Sequence, residues 1–537
     1  MKVYYKEFFL DLNRFYKHLI YAFVLTFILL LPDLVYAFWQ ENYLLFSGKT
    51  LKEVIGIFIL SGLILSISSK KIEFALISFF IILSFIELLH YSFFHGLLIH
   101  YEIMFLFTQF SEVKDSLNSI LDYVYLPLVI TCMQFILTYI LVFVIKKREY
   151  IHIKYIEFLI VAILVFVPIS AYKRHNISSM MPNNHSISII NMYNSISLFI
   201  GKEIPKYITK HKDIKHFKQY DIYDNNLTNL PQNIVVVMGE SLGYKYMHLF
   251  YPDTNVEDTP YLDKLKQDNN FIYMKGYSGG VDTLTSVPTF FLLKREPENI
   301  SLLGQNKTNL LALAKKHNYK VSYITTQKLN IMATYTSSAD IIKGLKGKDK
   351  LLIDALNGID FSKKNFIIIH QRNSHSPYED STPKEFYKYD FKDKDYHTFM
   401  LNSYYNSVLY TDYILHQIID KVKSLDNSVV FVTSDHSEML GSSDENGRYG
   451  HAYLSKEVAK VPILIYANHI DNGLKQQYKK QKCFNHYTLG KLIANTLGYN
   501  INNQNDNGQY FINGTSIDGS NGFISYTQEE CIALNKK

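Results

Sequence analysis

The stretch "NIVVVMGES", residues 233–241, decides how the second half of this 537-residue chain is read. It is an apolar, β-branched run that ends on Gly239 and the carboxylate of Glu240. A run that is apolar on both alternating faces belongs to a strand covered on both sides, as in a parallel sheet between helices. Four more runs repeat the pattern: "YKVSYITT" (319–326), "NFIIIHQRNSH" (365–375), "SVVFVTSDH" (428–436) and "KVPILIYAN" (460–468). Helical stretches separate them, such as "TPYLDKLKQ" from Thr259 and "YNSVLYTDYILHQIIDKV" from Tyr405. The alternation predicts an α/β domain over 231–537 with a largely parallel sheet between helices.

The N-terminal part reads differently. Residues 1–171 hold five apolar runs, at about 19–38, 54–69, 73–94, 123–145 and 155–171. A membrane-spanning helix needs roughly 20 mostly apolar residues, so a transmembrane domain of five helices is expected here. The first run lacks a small-residue cleavage site and four more follow, which argues against a signal peptide. Lys2, Lys6, Arg14, Lys17, Lys70, Lys71, Lys146, Lys147, Arg148 and Lys154 fall on one set of loops, against Lys49, Lys52 and Lys114 on the other. That asymmetry puts the N-terminus in the cytoplasm and everything after residue 172 outside, in the periplasm of a Gram-negative cell. Residues 172–230 form a polar connector. Its "ISIINMYNSISLFIGKEI" (187–204) suits an amphipathic helix, either on the membrane surface or packed on the outer domain. Glu87 and His90 close the third run, and ionisable groups at membrane depth are functional candidates.

A formal charge of +6 on this length, with no basic run interleaved with aromatics, speaks against a nucleic-acid partner. Of the three cysteines, Cys132 lies in a membrane run. Cys483 and Cys531 share the outer domain, where a disulfide is permitted, and the sequence leaves their pairing open. No cysteine spacing marks a zinc ribbon.

Open α/β sheets bind ligands beyond the carboxyl ends of their strands. Glu240, His375 and the triple Ser434-Asp435-His436 stand at such ends. Two carboxylates and an imidazole suit Zn2+ or a similar divalent ion. A hydroxyl could complete the set, and coordination would lower its pKa and make it a nucleophile. The turn "SGGVDTLTSVPTFF" (278–291) offers Ser278, Thr283, Thr285, Ser286 and Thr289. The residue types alone do not choose among them.

Taken in order, "VVVMGES", "TPYLDKL", "DTLTSVP", "NSHSP", "VTSDHSEMLG", "YGHAY" and "VPILIY" resemble the membrane-bound phosphoethanolamine transferases of the alkaline phosphatase/sulfatase superfamily. The lipid A and lipooligosaccharide-modifying enzymes, including those of colistin resistance, are of this type. The likeness covers the five-span anchor and most of 231–500. It implies a sulfatase-like fold for the outer domain and a nucleophilic Thr five residues before the Pro of "SVP", which is Thr283 and not Thr285. It implies Glu240, Thr283, Asp435 and His436 as metal ligands, one zinc ion at least, and room for a second. His375 and His451 match the two substrate-side histidines, while His370 falls within a strand and reads as structural. Many members flank the nucleophile turn with a cysteine pair; the matching positions here are Gly279 and Thr289, so that bridge is absent.

The resemblance implies transfer of phosphoethanolamine from phosphatidylethanolamine to a lipid-linked envelope glycan, lipid A or the lipooligosaccharide core first among them. A covalent phospho-threonine would form and diacylglycerol would leave. The closest rival is a glycerol-phosphate transferase of the lipoteichoic-acid-synthase type; "SVP" and "NSHSP" favour phosphoethanolamine. A membrane-anchored phosphatase or sulfatase is the hydrolytic rival, but no C/S-x-P-x-R signature is present. A non-catalytic relative would be expected to have lost ligand positions, and all four are filled.

Overall fold

The protein is described by a computed structural model over residues 2–39, 48–94, 97–100, 102–103, 124–145, 151–174, 177–181, 185, 187–205, 217–299, 302, 307–327, 333–392, 394–445, 447–451, 453–519 and 521–536. It divides into two compact units, residues 1–215 with 329–333 and residues 216–328 with 334–537.

The first unit is helical: α1 (Lys2–Trp39), α2 (Gly48–Leu65), α3 (Lys70–Phe94), α4 (Tyr125–Tyr139) and α5 (Ile156–Lys173). A π-helical stretch, Ile140–Ile145, continues α4. Among the described residues, four helical stretches are long and apolar enough to cross a membrane: Asn13–Phe38, Lys70–Ser92, Tyr125–Ile145 and Ile156–Lys173. The expected fifth, over 54–69, is helical only as far as Leu65 within α2, and Lys49, Lys52 and Glu53 in the first turns of that helix set it apart. On α5, Phe158 and Phe166 are 67% and 66% exposed, a display that suits lipid better than water.

The segment 187–204 forms α6 (Ser188–Leu198), which runs into a π-helical turn, Phe199–Glu203. Its polar side is buried inside this helical unit. Ser188 donates from N and Oγ to the two oxygens of Asp33, at 2.8 and 2.9 Å. Asn191 Nδ2 donates to Glu87 Oε1 at 2.8 Å and to Leu98 O at 2.9 Å, and Ser195 Oγ reaches the same carbonyl at 2.8 Å. Glu87 Oε1 also accepts from Leu98 N at 2.9 Å. His90 sits 3.4 Å from Glu102. These contacts tie α6 and the turn at 97–100 to α3, while Ile187, Ile189 and Met192 join the apolar core of the bundle. Cys132 is free and exposed.

The second unit is built on a seven-stranded sheet. Its strands are β1 (Asn233–Gly239), β2 (Phe271–Tyr277), β3 (Lys320–Thr325), β4 (Ile341–Gly344), β5 (Asn365–His370), β6 (Ser428–Ser434) and β7 (Lys460–Asn468). The order is β2-β7-β6-β1-β5-β3-β4. The five strands from β6 to β4 run parallel, and β7 is antiparallel to both neighbours. The five expected strands are all present. The two edge strands were not expected: "FIYMKGY" keeps partly exposed residues along its length, and "IIKG" is short and half-exposed, so neither carries the doubly buried signature. By contrast every residue of β1, β5 and β6 is buried.

Register does the positioning. On β1, Met238 pairs with His370 and Thr433, and Gly239 with Ser434. The next residues out, Glu240 and Asp435, therefore leave neighbouring strands side by side. A disulfide joins Cys483 to Cys531.

Candidate active site

The hydroxyl turn resolves into a helix, α7 (Thr283–Phe291), started by Asp282. The Asp282 carboxylate accepts from Thr285 N at 2.8 Å, an N-cap that satisfies one of the free amides of the first turn. Phe290 and Phe291 are wholly buried at the far end, each worth roughly 1.5–3 kcal/mol of anchoring. Thr283 is left as the first helical residue, half-exposed, with its hydroxyl at the positive end of the helix.

That hydroxyl donates to Asp435 Oδ2 at 2.7 Å and lies 3.4 Å from Glu240 Oε2. Asp435 Oδ1 is held from behind by Ser241 N at 2.9 Å and His436 N at 2.7 Å. His436 Nδ1 donates to Ser437 O at 3.0 Å, which turns the lone pair of Nε2 forward. Nε2 stands 3.5 Å from Glu240 Oε1 and 3.4 Å from Asp435 Oδ2, buried and without a hydrogen bond. Acceptor atoms thus converge from three side chains, and the ligand atoms of Glu240, Asp435 and His436 lie within 4.8 Å of one another. A divalent cation fits this donor set, since oxygen and imidazole nitrogen suit zinc. Thr285, Ser286 and Thr289 are buried and Ser278 caps its own turn by donating to Gly280 O at 2.7 Å, so Thr283 is the hydroxyl that reaches the carboxylates.

Electrostatics follow the same division. Burial, then the charge of Asp435, pushes Glu240 well above the usual carboxylate range. Burial would raise Asp435 too, but His436, the Thr283 hydroxyl and Ser241 N hold it below its ordinary value. Burial lowers His436.

His375 and His451 lie on loops at this edge, with ring centres 6.3 Å apart, and the His451 ring is 4.2 Å from that of His436. Glu438 holds His451 Nδ1 at 3.1 Å and, against the effect of burial, raises its pKa. His436, Glu438 and His451 form a second group with ligand atoms within 4.8 Å. His375 Nδ1 donates to Ser376 O at 2.6 Å, and burial lowers its pKa. The loop that carries His375 is fixed by Asp349, which accepts from Arg372 N and Asn373 N at 3.1 and 3.0 Å. His370 is fully buried against the Tyr323 hydroxyl at 2.8 Å, its pKa lowered by burial to about 4, in keeping with a structural role.

Besides Asp349, three contributors escaped the sequence reading. Gln327, just past β3, donates from Nε2 to Glu240 Oε2. Glu438 stands two residues beyond His436 inside "SDHSE", a spacing that could have flagged it. The Tyr404 hydroxyl, on the long helix α8 (Tyr396–Lys423), donates to Ser241 O at 2.7 Å and accepts from Gly243 N at 3.0 Å. The two positions where the resemblance expected cysteines do face each other: a Cβ on Gly279 would stand 3.2 Å from Thr289 Cβ.

A hydroxyl at a helix start, two carboxylates and an imidazole thus meet at the carboxyl edge of a mostly parallel sheet. The Sulfatase family model matches residues 232–487. Among curated proteins the chain is 25% identical over 303 residues to the Kdo(2)-lipid A phosphoethanolamine 7''-transferase of Escherichia coli K12, covering 50% of this chain and 53% of that one. It is 25% identical over 259 residues to the phosphoethanolamine transferase EptA of Helicobacter pylori, covering 44% and 47%. The chain thus spans about half the length of the curated relatives it matches. The integral membrane lipooligosaccharide phosphoethanolamine transferase A of Neisseria meningitidis aligns over 90% of this chain and 95% of its own, at 18% identity and a TM-score of 0.45.

Proposed function

We propose that the protein is a membrane-anchored phosphoethanolamine transferase that moves the headgroup of phosphatidylethanolamine onto an envelope glycan, lipid A or the lipooligosaccharide core. The observation that carries the reading is the Thr283 hydroxyl, 2.7 Å from Asp435 and facing Glu240, in a chain whose curated relatives are named phosphoethanolamine transferases. The anchor is read as five spans over 1–171, joined by a connector over 172–230 to a catalytic domain over 231–537. The N-terminus is cytoplasmic and the catalytic domain periplasmic. This arrangement lets the centre meet a lipid donor and a lipid-linked acceptor at one surface.

Glu240, Thr283, Asp435 and His436 would hold a zinc ion. When bound there, the ion lowers the hydroxyl pKa and neutralises charge on the phosphoryl oxygens. Thr283 Oγ attacks the phosphorus, and its proton passes to Asp435 Oδ2, which already accepts it. The bond from phosphorus to the glycerol oxygen breaks, and diacylglycerol leaves with a proton from the histidine side of the site. A phosphoethanolamine ester on Thr283 results. An acceptor hydroxyl or phosphate then attacks the same phosphorus, and Thr283 leaves with its proton returned. His451, held through Nδ1 by Glu438, is placed to give and take the leaving-group proton, and His375, whose Nε2 is left as an acceptor by the Ser376 bond, to accept a hydrogen bond from the incoming hydroxyl. Splitting one hard transfer into two easier displacements is what a covalent nucleophile contributes.

The test is to incubate the full-length protein with phosphatidylethanolamine labelled in its ethanolamine and map the adduct by mass spectrometry. Label on Thr283 is the expected result. A phosphoglycerol adduct from phosphatidylglycerol in its place would assign the glycerol-phosphate rival.

A further inference from the structure

In the second unit a cleft of about 540 Å³ opens along α9 (His486–Thr496). Its far wall is the antiparallel pair Asp221–Asp224 and Tyr499–Asn502. None of its lining residues belongs to the centre around Thr283. The chemistry of the lining is unusual. Tyr223 brings a 54% exposed aromatic ring to the concavity, backed by Tyr499 and Tyr510, which are buried among other rings. Gln477, Asn502 and Gln528 stand around them, exposed. No side-chain hydrogen bond occupies these three amides among the described residues.

Lys491 completes the set. It is half-buried in the cleft, and its Nζ lies 5.4 Å from the Tyr487 ring. Among the described residues it has no ion pair. The acid on the same wall, Asp506, is taken by Arg295 at 3.6 Å. Burial also holds the Lys491 pKa below the usual lysine value. The charge of Asp506 and the Tyr487 ring favour this ammonium from the protein side, and the cleft leaves it without a direct ion pair among the described residues.

We infer that this cleft binds an acidic saccharide. The exposed Tyr223 ring offers an apolar face that can stack on the C–H face of a pyranose. Each amide offers a donor and an acceptor together, which is the pattern that vicinal hydroxyls need. Lys491 supplies a point charge for a carboxylate or phosphate on the sugar. One cation is too few for a nucleic acid backbone, and the polar wall does not suit an apolar ligand. The same helix links the cleft to the reaction centre. Its first residue, His486, hydrogen-bonds Ser434 O at 2.9 Å, one residue before Asp435. The inference does not depend on the transferase reading and stands or falls by binding alone.

The experiment uses the full-length protein in a detergent without a sugar headgroup. Saturation-transfer NMR and calorimetry are run with trigalacturonate, maltotriose and glucose 6-phosphate. The two acidic saccharides are expected to bind with Kd about 0.1–1 mM, and maltotriose at least several-fold more weakly. Lys491→Gln should weaken the acidic probes about tenfold and leave maltotriose unchanged, while Gln528→Ala and Asn502→Ala weaken all three about threefold. Glu240→Gln should leave all binding unchanged. Preference for trigalacturonate or for glucose 6-phosphate names the acidic group as carboxylate or phosphate, and either supports the inference. No saturation transfer from any probe would overturn it. So would equal binding by Lys491→Gln and wild type, or loss of binding in Glu240→Gln, which would place the saccharide at the reaction centre.

Discussion

In the helical unit, the buried Asp33 and Glu87 accept hydrogen bonds from Ser188, Leu98 N and Asn191 Nδ2. In the α/β unit, Glu240 and Asp435 are buried as deeply, yet they turn oxygens toward each other and toward the lone pair of His436 Nε2. The residue type is the same and so is the depth; only the partners differ. A carboxylate met by backbone amides and a side-chain amide ties segments together. Two carboxylates that share a site with an unprotonated imidazole nitrogen repel unless a cation joins them. Burial marks neither role. Donors reach both kinds, since Ser241 N and His436 N meet Asp435 and Gln327 meets Glu240; what marks the site is that these two carboxylates also face each other and the lone pair of His436 Nε2.

The largest effect that tests this contrast is on the nucleophile. Thr283→Ala should lower transfer by about a thousandfold or more without moving the melting temperature, because the residue is half-exposed and its neighbours Phe290 and Phe291 anchor the helix. Thr285→Ala should keep transfer within about threefold, since that hydroxyl is buried away from the carboxylates. Phosphoethanolamine transfer measured on the pair decides it, and the opposite ranking would move the nucleophile.

Next in size is the repulsion itself. Metal-free Glu240→Gln should be more stable than metal-free wild type, by about 1–3 kcal/mol, because one of two facing carboxylates is removed. Zinc should raise the unfolding temperature of the wild type and have little effect on the variant. Thermal unfolding with and without zinc separates the cases. A destabilised variant that still responds to zinc would put Glu240 with Asp33 and Glu87 as a structural tie.

Glu87 gives the mirror experiment. Glu87→Ala should cost about 1–3 kcal/mol, since Leu98 N and Asn191 lose their acceptor. Glu87→Gln keeps an acceptor oxygen and should preserve both thermal stability and transfer. Loss of transfer in a well-folded Glu87→Gln would instead make this carboxylate a headgroup contact.

Much of this contrast could be read from the sequence, and the unread part has a physical reason. β1, β5 and β6 announce themselves because they are buried on both faces, so their runs are continuously apolar and their ends carry Glu240 and the Asp435-His436 pair. The edge strands β2 and β4 pack on one side and blur into loop-like composition. The antiparallel sense of β7 leaves no trace in "KVPILIYAN", because direction is set by the path of the chain. The choice of Thr283 over Thr285 came from a family resemblance; the geometry supplies the physical ground, an N-cap at Asp282 that sets which hydroxyl faces the edge. Gln327, Asp349 and Tyr404 were illegible for a different reason. Each acts across a long sequence separation, so nothing near them in the chain marks them.

Tyr404 tests the smallest of these effects. Ser241 follows Glu240 with a φ of 53°, a left-handed backbone that a serine adopts only when its surroundings hold it. The Tyr404 hydroxyl bridges Ser241 O and Gly243 N, on either side of that kink. Ser241 N in turn fixes Asp435 Oδ1. Tyr404→Phe keeps the ring packed against Tyr246 and Tyr378 while removing the bridge. Stability should fall by about 1–2 kcal/mol, the cost of two buried backbone groups losing one shared partner. If the bridge positions the centre, zinc affinity and kcat should fall together, by about tenfold, with KM for the lipid donor unchanged. A loss of stability with unchanged zinc affinity would make Tyr404 a packing residue and leave the Glu240 loop held by Asp435 and Ser434.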